Sequence, residues 1–202
     1  MILEVKNLTF SYGGAGNKVL YENFNFSASS DERVGIMAPS GFGKTTLCKL
    51  MAGYEKPISG SVLLDGKNIS SYKGYCLVQM IWQHPEQVIN PRLKMKEVLA
   101  EGNNVPERII TELGIEPAWL ERYPGELSGG ELQRFCIARA LGDGTKFILA
   151  DEISTMLDLI TQSQIWNFLV QETSSRGIGL IAVSHSQPLL DKVCTRQIVL
   201  SK

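Results

Sequence analysis

Val34-Gly35-Ile36-Met37-Ala38-Pro39-Ser40-Gly41-Phe42-Gly43-Lys44-Thr45-Thr46 is the stretch that decides the fold. Val34 to Ala38 is continuously apolar, the pattern of a strand covered on both faces in a parallel sheet. A glycine-rich turn follows, and then a helix ending near Gly53. A strand, such a turn and a helix opening at Lys-Thr form a phosphate-binding loop. Gly41 and Gly43 let the backbone curl so that its amides point inward at an anion. Lys44 is placed to reach the β- and γ-phosphates, and the Thr45 hydroxyl to ligate Mg²⁺. Ser40, Gly41, Phe42, Gly43, Lys44, Thr45 and Thr46 are therefore the expected nucleotide contacts. Ala38 stands where such loops usually begin with glycine; it precedes the tightest part of the turn, so the loop is expected to tolerate its methyl group. By itself the loop specifies only a nucleoside triphosphate, since GTPases, kinases and motors share it.

Two further apolar runs, Phe147 to Ala150 and Leu180 to Val183, have the same buried-strand pattern. The first ends in Asp151-Glu152. An acid at the C-terminal edge of a parallel strand lies where ligands bind in such sheets. Asp151 is the expected Mg²⁺ partner, and Glu152 the group that orients and polarises an attacking water.

The N-terminal third is different. Leu3 to Tyr12 and Asn23 to Ala28 mix apolar and polar positions in near alternation, with Phe24, Phe26 and Ala28 on one face. That suits a half-buried antiparallel sheet, with Gly13 to Asn17 as a loop between the strands. Ser61 to Leu64 running into Asp65-Gly66 reads as a hairpin. Residues from about Gln83 to Gly125 read as a helical insertion. Helices are expected over Lys94 to Glu101, Pro106 to Leu113 and Glu116 to Tyr123, with Gly102-Asn103-Asn104 separating the first two. No internal repeat is visible.

Composition narrows the class. The chain has 202 residues, 44% hydrophobic and 20% charged, with a net charge of -1. That charge gives no support for nucleic-acid or anionic-membrane binding. No apolar run approaches the ~18 residues of a membrane span. The N-terminus lacks a secretory pattern. With no apolar run long enough to span a membrane, a transport role would require another chain to supply the pore. Cys48, Cys76, Cys136 and Cys194 are scattered and read as small apolar thiols rather than a zinc site.

Leu127-Ser128-Gly129-Gly130-Glu131 adds a second anion site. Ser128 followed by Glu131 is a capping box, so a helix should begin here. Its two glycines leave bare backbone amides at the positive end of that helix.

With this stretch beside the phosphate loop, the whole chain resembles the ATP-binding-cassette (ABC) ATPases, whose signature is usually L-S-G-G-Q. The smaller motifs fall in the family's order. Tyr12 resembles the aromatic residue that stacks on adenine. Gln83 resembles the glutamine that contacts Mg²⁺ and water and touches the membrane partner. Thr155-Met156-Leu157-Asp158 resembles the D-loop, and His185 the switch histidine on the γ-phosphate. Taken singly, Tyr12 reads as a strand-face aromatic, Gln83 as a loop polar group and His185 as a structural histidine; their joint order carries the resemblance. Ile153 replaces a proline common after the catalytic acid.

The resemblance implies an α/β fold: a P-loop NTPase core with a mainly parallel sheet, an N-terminal antiparallel β-subdomain and an inserted helical subdomain. The implied division is 1–82, 83–135 and 136–202. It implies ATP and Mg²⁺ as cofactors, with Glu152, His185 and Gln83 catalytic and Thr45, Gln83 and Asp151 at the metal. Ser128, Gly129 and Gly130 are expected to cap the nucleotide of a partner ATPase, identical or different, so that ATP joins two cassettes head to tail.

Three classes compete: an importer ATPase, a cassette acting on nucleic acid or ribosomes, and a P-loop kinase. The absence of heptads, of a basic patch and of an acceptor-pocket motif favours the first. Val78 to Pro85, Asn90-Pro91-Arg92, Arg122-Tyr123-Pro124 and Leu132-Gln133-Arg134 resemble the dipeptide, oligopeptide and nickel importers. This implies permease partners, indirectly a substrate-binding protein, no nucleic acid, and a cytoplasmic location at the inner membrane face. Such importers usually carry a C-terminal extension. The sequence ends at Lys202, which reads as a minimal variant or as an extension carried by the partner.

Overall fold

The computed structural model describes residues 1–13, 18–39, 41–155 and 157–200. Its first sheet is built from strands β1 (Ile2–Phe10), β2 (Tyr21–Ser29), β4 (Ser59–Leu64) and β5 (Lys67–Asn68), in the order β2-β1-β4-β5. Its pairings are all antiparallel. Alternation along β1 buries Leu3, Val5, Leu8 and Phe10. The period breaks between Val5 and Leu8, where Asn7 takes a left-handed φ of 47° and the register shifts. Asp65 and Gly66, with φ of 48° and 77°, close the expected hairpin between β4 and β5.

The second sheet holds β3 (Arg33–Met37), β6 (Val78–Ile81), β7 (Phe147–Asp151), β8 (Gly179–Val183) and β9 (Arg196–Val199). Their order is β6-β7-β8-β3-β9, parallel throughout. Every residue of β7 and β8 is buried, because both faces of this sheet are covered. Phe147, Leu149, Ile181 and Val183 pack toward the antiparallel sheet and helix α1 (Lys44–Met51). Ile148, Ala150, Leu180 and Ala182 pack toward the other helices.

Those helices are α2 (Met95–Ala100), α3 (Glu107–Glu112), α4 (Gly129–Ala140), α5 (Leu159–Arg176) and α6 (Gln187–Val193). The expected third helix of the insertion, Glu116 to Tyr123, is instead a short 3₁₀ segment over Pro117–Glu121. Pro124 disfavours helical backbone at Tyr123, and a second 3₁₀ turn starts there. The long α5 is bounded as its ends require. Asp158 accepts from the amides of Ile160 and Thr161, and Gly177 is left-handed at the C-terminus. Among the described residues no helix is long and apolar enough to cross a membrane.

The insertion meets the core in a close approach at Gly142 and Asp143. The Asp143 amide donates to Asn103 O at 2.8 Å, and Asn104 Nδ2 donates to the Asp143 carboxylate at 2.6 Å. A Cβ on Gly142 would collide with the Gly102 carbonyl. Gly142→Ala should therefore cost roughly 3 kcal/mol or more, because backbone rather than a flexible side chain must move. The check is the midpoint of thermal unfolding. An unchanged midpoint would mean that the 102–104 segment gives way freely.

Candidate nucleotide site

The C-terminal ends of β3, β7 and β8 lie together at one edge of the parallel sheet, and β3 delivers the phosphate loop there. Ala38 is buried and its φ is not left-handed, so its methyl group packs into the core without backbone strain. Gly41 and Gly43 have φ of 76° and 97°, which side-chain-bearing residues rarely adopt. Gly43 is needed twice over, since a Cβ there would lie 2.7 Å from the Leu20 side chain. It is the N-cap of α1 and, as glycine, brings no capping side chain; no acid lies in the first turn of that helix. The leading amides of a helix start of this kind suit an anion. Phe42 faces the other way, with its ring 6.5 Å from that of Tyr21 and its amide donating to Pro39 O. Ser40 and Met156 lie outside the described residues.

Lys44 is only 7% exposed. Its Nζ donates to Ala38 O at 2.9 Å and Pro39 O at 3.3 Å, and stands 3.4 Å from Glu152 Oε1. The next two residues reach opposite sides of the site. Thr45 hydrogen-bonds to Asp151, and Thr46 Oγ1 shares a 2.8 Å hydrogen bond with Tyr12 Oη. Tyr12 keeps 54% of its surface exposed, so its ring remains available for stacking.

Asp151 is 2% exposed. Burial pushes its carboxyl pKa up and the Glu152 charge adds to this, while the Thr45 bond and Lys44 oppose it. Glu152 adopts a left-handed φ of 49°, a conformation that costs on the order of 1–3 kcal/mol in a residue with a side chain. The bend is held by the Glu152 amide donating to Val183 O at 3.0 Å. It aims the carboxylate across the sheet edge, where Oε2 stands 3.5 Å from His185 Nδ1. His185 is 66% exposed in its side chain. Gln83, two residues past the end of β6, donates from Nε2 to Thr155 Oγ1 at 3.3 Å. Ile153, at the position of the usual proline, is buried in the helix-side core.

A cavity of about 750 Å³ opens between these groups. Tyr12, Gly41, Gly43, Lys44, Thr45, Thr46, Gln83 and Glu152 line it. The hard oxygen donors around it, Thr45, Asp151, Gln83 and Glu152, suit Mg²⁺ rather than a thiophilic ion. Among the described residues no cluster of three His, Cys, Asp or Glu side chains could hold a metal alone. Lys18, Val19 and Leu20 also line the cavity. Sequence reasoning missed them because they follow the glycine-rich segment without a motif of their own. Tyr21 was missed as well. It lies under the loop, donating to Gly43 O at 2.9 Å, and burial raises its phenol pKa.

Ser128, Gly129 and Gly130 do not line this cavity. Ser128 is the N-cap of α4; its Oγ accepts from the Glu131 amide at 3.3 Å, and Glu131 Oε2 accepts from the Ser128 amide at 2.7 Å. A Cβ on Gly129 would meet nothing within 4 Å, and one on Gly130 only Leu157. The glycine face of this helix start is open.

The ABC transporter family pattern matches residues 21–155. The chain is 32% identical to the oligopeptide transport ATP-binding protein OppF of Streptococcus mutans, over 96% of this chain and 70% of that one. It is 29% identical to the nickel import ATP-binding protein NikE of Rhodospirillum rubrum, over 94% of this chain and 75% of that one. Its fold is that of an ATP-binding cassette solved as a dimer in a post-hydrolysis state with ADP and Pi, with a TM-score of 0.83 at 24% identity, covering 98% of this chain and 94% of that one. The chain belongs to the ABC transporter family and is one of its ATP-binding cassette ATPases.

Proposed function

We propose that this chain is the ATP-hydrolysing subunit of an importer for oligopeptides, dipeptides or nickel, working through separate permease subunits at the inner face of the membrane. The reading rests above all on the Glu152 carboxylate, held between Lys44 and His185 beside the phosphate-loop cavity. The relatives are named for transport of oligopeptides and dipeptides and import of nickel, which supports the cargo class. We propose residues 1–82 and 136–202 as the ATPase core and 83–135 as the helical subdomain facing the partners.

Phosphoryl transfer to water needs charge neutralisation and a positioned water, with little covalent chemistry. In this reading Tyr12 stacks on the base. Lys44 and the loop amides of Ser40 to Thr46 hold the phosphates. Thr45, Asp151 and Gln83 hold Mg²⁺, which when bound would further neutralise phosphate charge. Glu152 accepts a proton from the attacking water, and His185 steadies that carboxylate and the terminal phosphate.

Ser128, Gly129 and Gly130 present amides to the nucleotide of a second cassette, identical or different. Their position away from the chain's own cavity supports this sharing. Ser128→Arg places a long cation across the open helix start. It should leave ATP binding by the single chain within about twofold while lowering turnover roughly 10²-fold, the scale of losing preorganised donors. Wild-type turnover in that variant would reject the shared site. In vesicles carrying the permease subunits, ATP should drive uptake of a labelled oligopeptide, a labelled dipeptide or Ni²⁺. Hydrolysis with none of the three taken up would reject this cargo class.

A further inference from the structure

Gln133 is only 2% exposed, yet it sits on α4 among Leu132, Phe135, Cys136 and Ile137, all buried. Burying a glutamine there desolvates its amide, a cost that an apolar residue of similar size avoids. A hydrogen bond across to the strand-end segment explains its presence. Nε2 donates to the carbonyl oxygen of Trp82 at 3.2 Å.

Trp82 is gripped from a second side. The Lys49 ammonium lies 5.2 Å from its ring centroid, and the Tyr54 ring meets it at 5.5 Å and 64°. Lys49 belongs to α1, the helix that begins at the phosphate loop, and Tyr54 follows just after it. The ring of Trp82 is thus tied to the phosphate-loop helix, and its carbonyl to the signature helix. The next residue is Gln83, whose side chain enters the nucleotide cavity and bonds to Thr155. Gln133 lies five residues beyond Ser128, about 7.5 Å along the helix axis at 1.5 Å per residue.

We propose that Gln133 is a positioning residue: through the Trp82 carbonyl it sets where Gln83 stands in the cavity. This rests on the nucleotide-site reading proposed above.

The test is a double-mutant cycle on steady-state ATP hydrolysis by the full chain, with Q133M, Q83A and the double variant. Methionine keeps the length of Gln133 and removes its donor. Q133M should lower kcat roughly 10- to 10²-fold, the scale of a small misplacement, with KM within about twofold. Q83A should also be slow, and Q83A/Q133M no slower than Q83A alone. An equal loss from Q133M in the Q83A background would overturn the proposal. So would normal turnover in Q133M or in Q83A. Should Q133M fail to fold, Q133L is read the same way, and failure of both makes Gln133 merely structural and overturns the proposal. A wild-type chain without ATPase activity would fail the proposed function itself. An active wild type with additive variants would fail only this inference.

Discussion

Lys44→Ala is expected to abolish ATP hydrolysis and to lower nucleotide affinity by about 10²-fold or more. The substitution removes charge-assisted hydrogen bonds worth roughly 1.5–3 kcal/mol each. Two effects act together. The phosphates lose their buried cation, and the Asp151–Glu152 pair loses the positive charge 3.4 Å from Glu152. Lys44 holds the Asp151 pKa down, so its removal adds to the upward push of burial on that carboxyl. Each change opposes a polyanion binding with a divalent cation. The lost methylene packing is a smaller matter, since the side chain runs along the loop and ends on polar partners. Isothermal titration calorimetry with ATP checks this directly. An affinity within about twofold of wild type would remove Lys44 from the phosphate site.

Glu152→Gln separates binding from chemistry. The substitution preserves shape and one acceptor oxygen but removes the group that takes a proton, so hydrolysis should fall roughly 10²–10⁴-fold or more while ATP binding persists. The fold should tolerate it. The contacts of Glu152 to Lys44 and His185, at 3.4 and 3.5 Å, are loose, and the left-handed turn is held by a backbone bond to Val183 that a glutamine retains. The expected pattern is a bound, undegraded nucleotide in the variant, read by single-turnover hydrolysis beside equilibrium binding. Near-normal turnover would exclude Glu152 as the base. Loss of binding together with turnover would give it a structural role instead.

Much of the fold was legible because its signals are local. Asp65-Gly66 specifies its turn by the two positive φ values it supports, and Ser128 with Glu131 specifies a helix start by reciprocal hydrogen bonds over three residues. The unbroken apolar runs of β7 and β8 announced a sheet covered on both faces. The reading failed where a neighbour decided the outcome. Glu116 to Tyr123 looked helical by content, but the proline following Tyr123 and the short spacing to the next turn left a 3₁₀ segment.

By itself, then, the amino-acid sequence determined the antiparallel N-terminal strands, the buried strands β3, β7 and β8, the phosphate loop, the capped signature helix and the family. These depend on spacing, backbone preference and periodicity, which act over a few residues. Only the tertiary structure decided which side chains share a cavity. It seated Leu20 and Tyr21 beneath Gly43 and bent Glu152 into a left-handed turn beside His185. It hung Trp82 between the phosphate-loop and signature helices, and left Ser128 to Gly130 outside the cavity that Lys44 lines. The physical reason is that each of these contacts joins residues far apart in the chain. Their distances are set by how two sheets and their helices pack, and no local pattern encodes them.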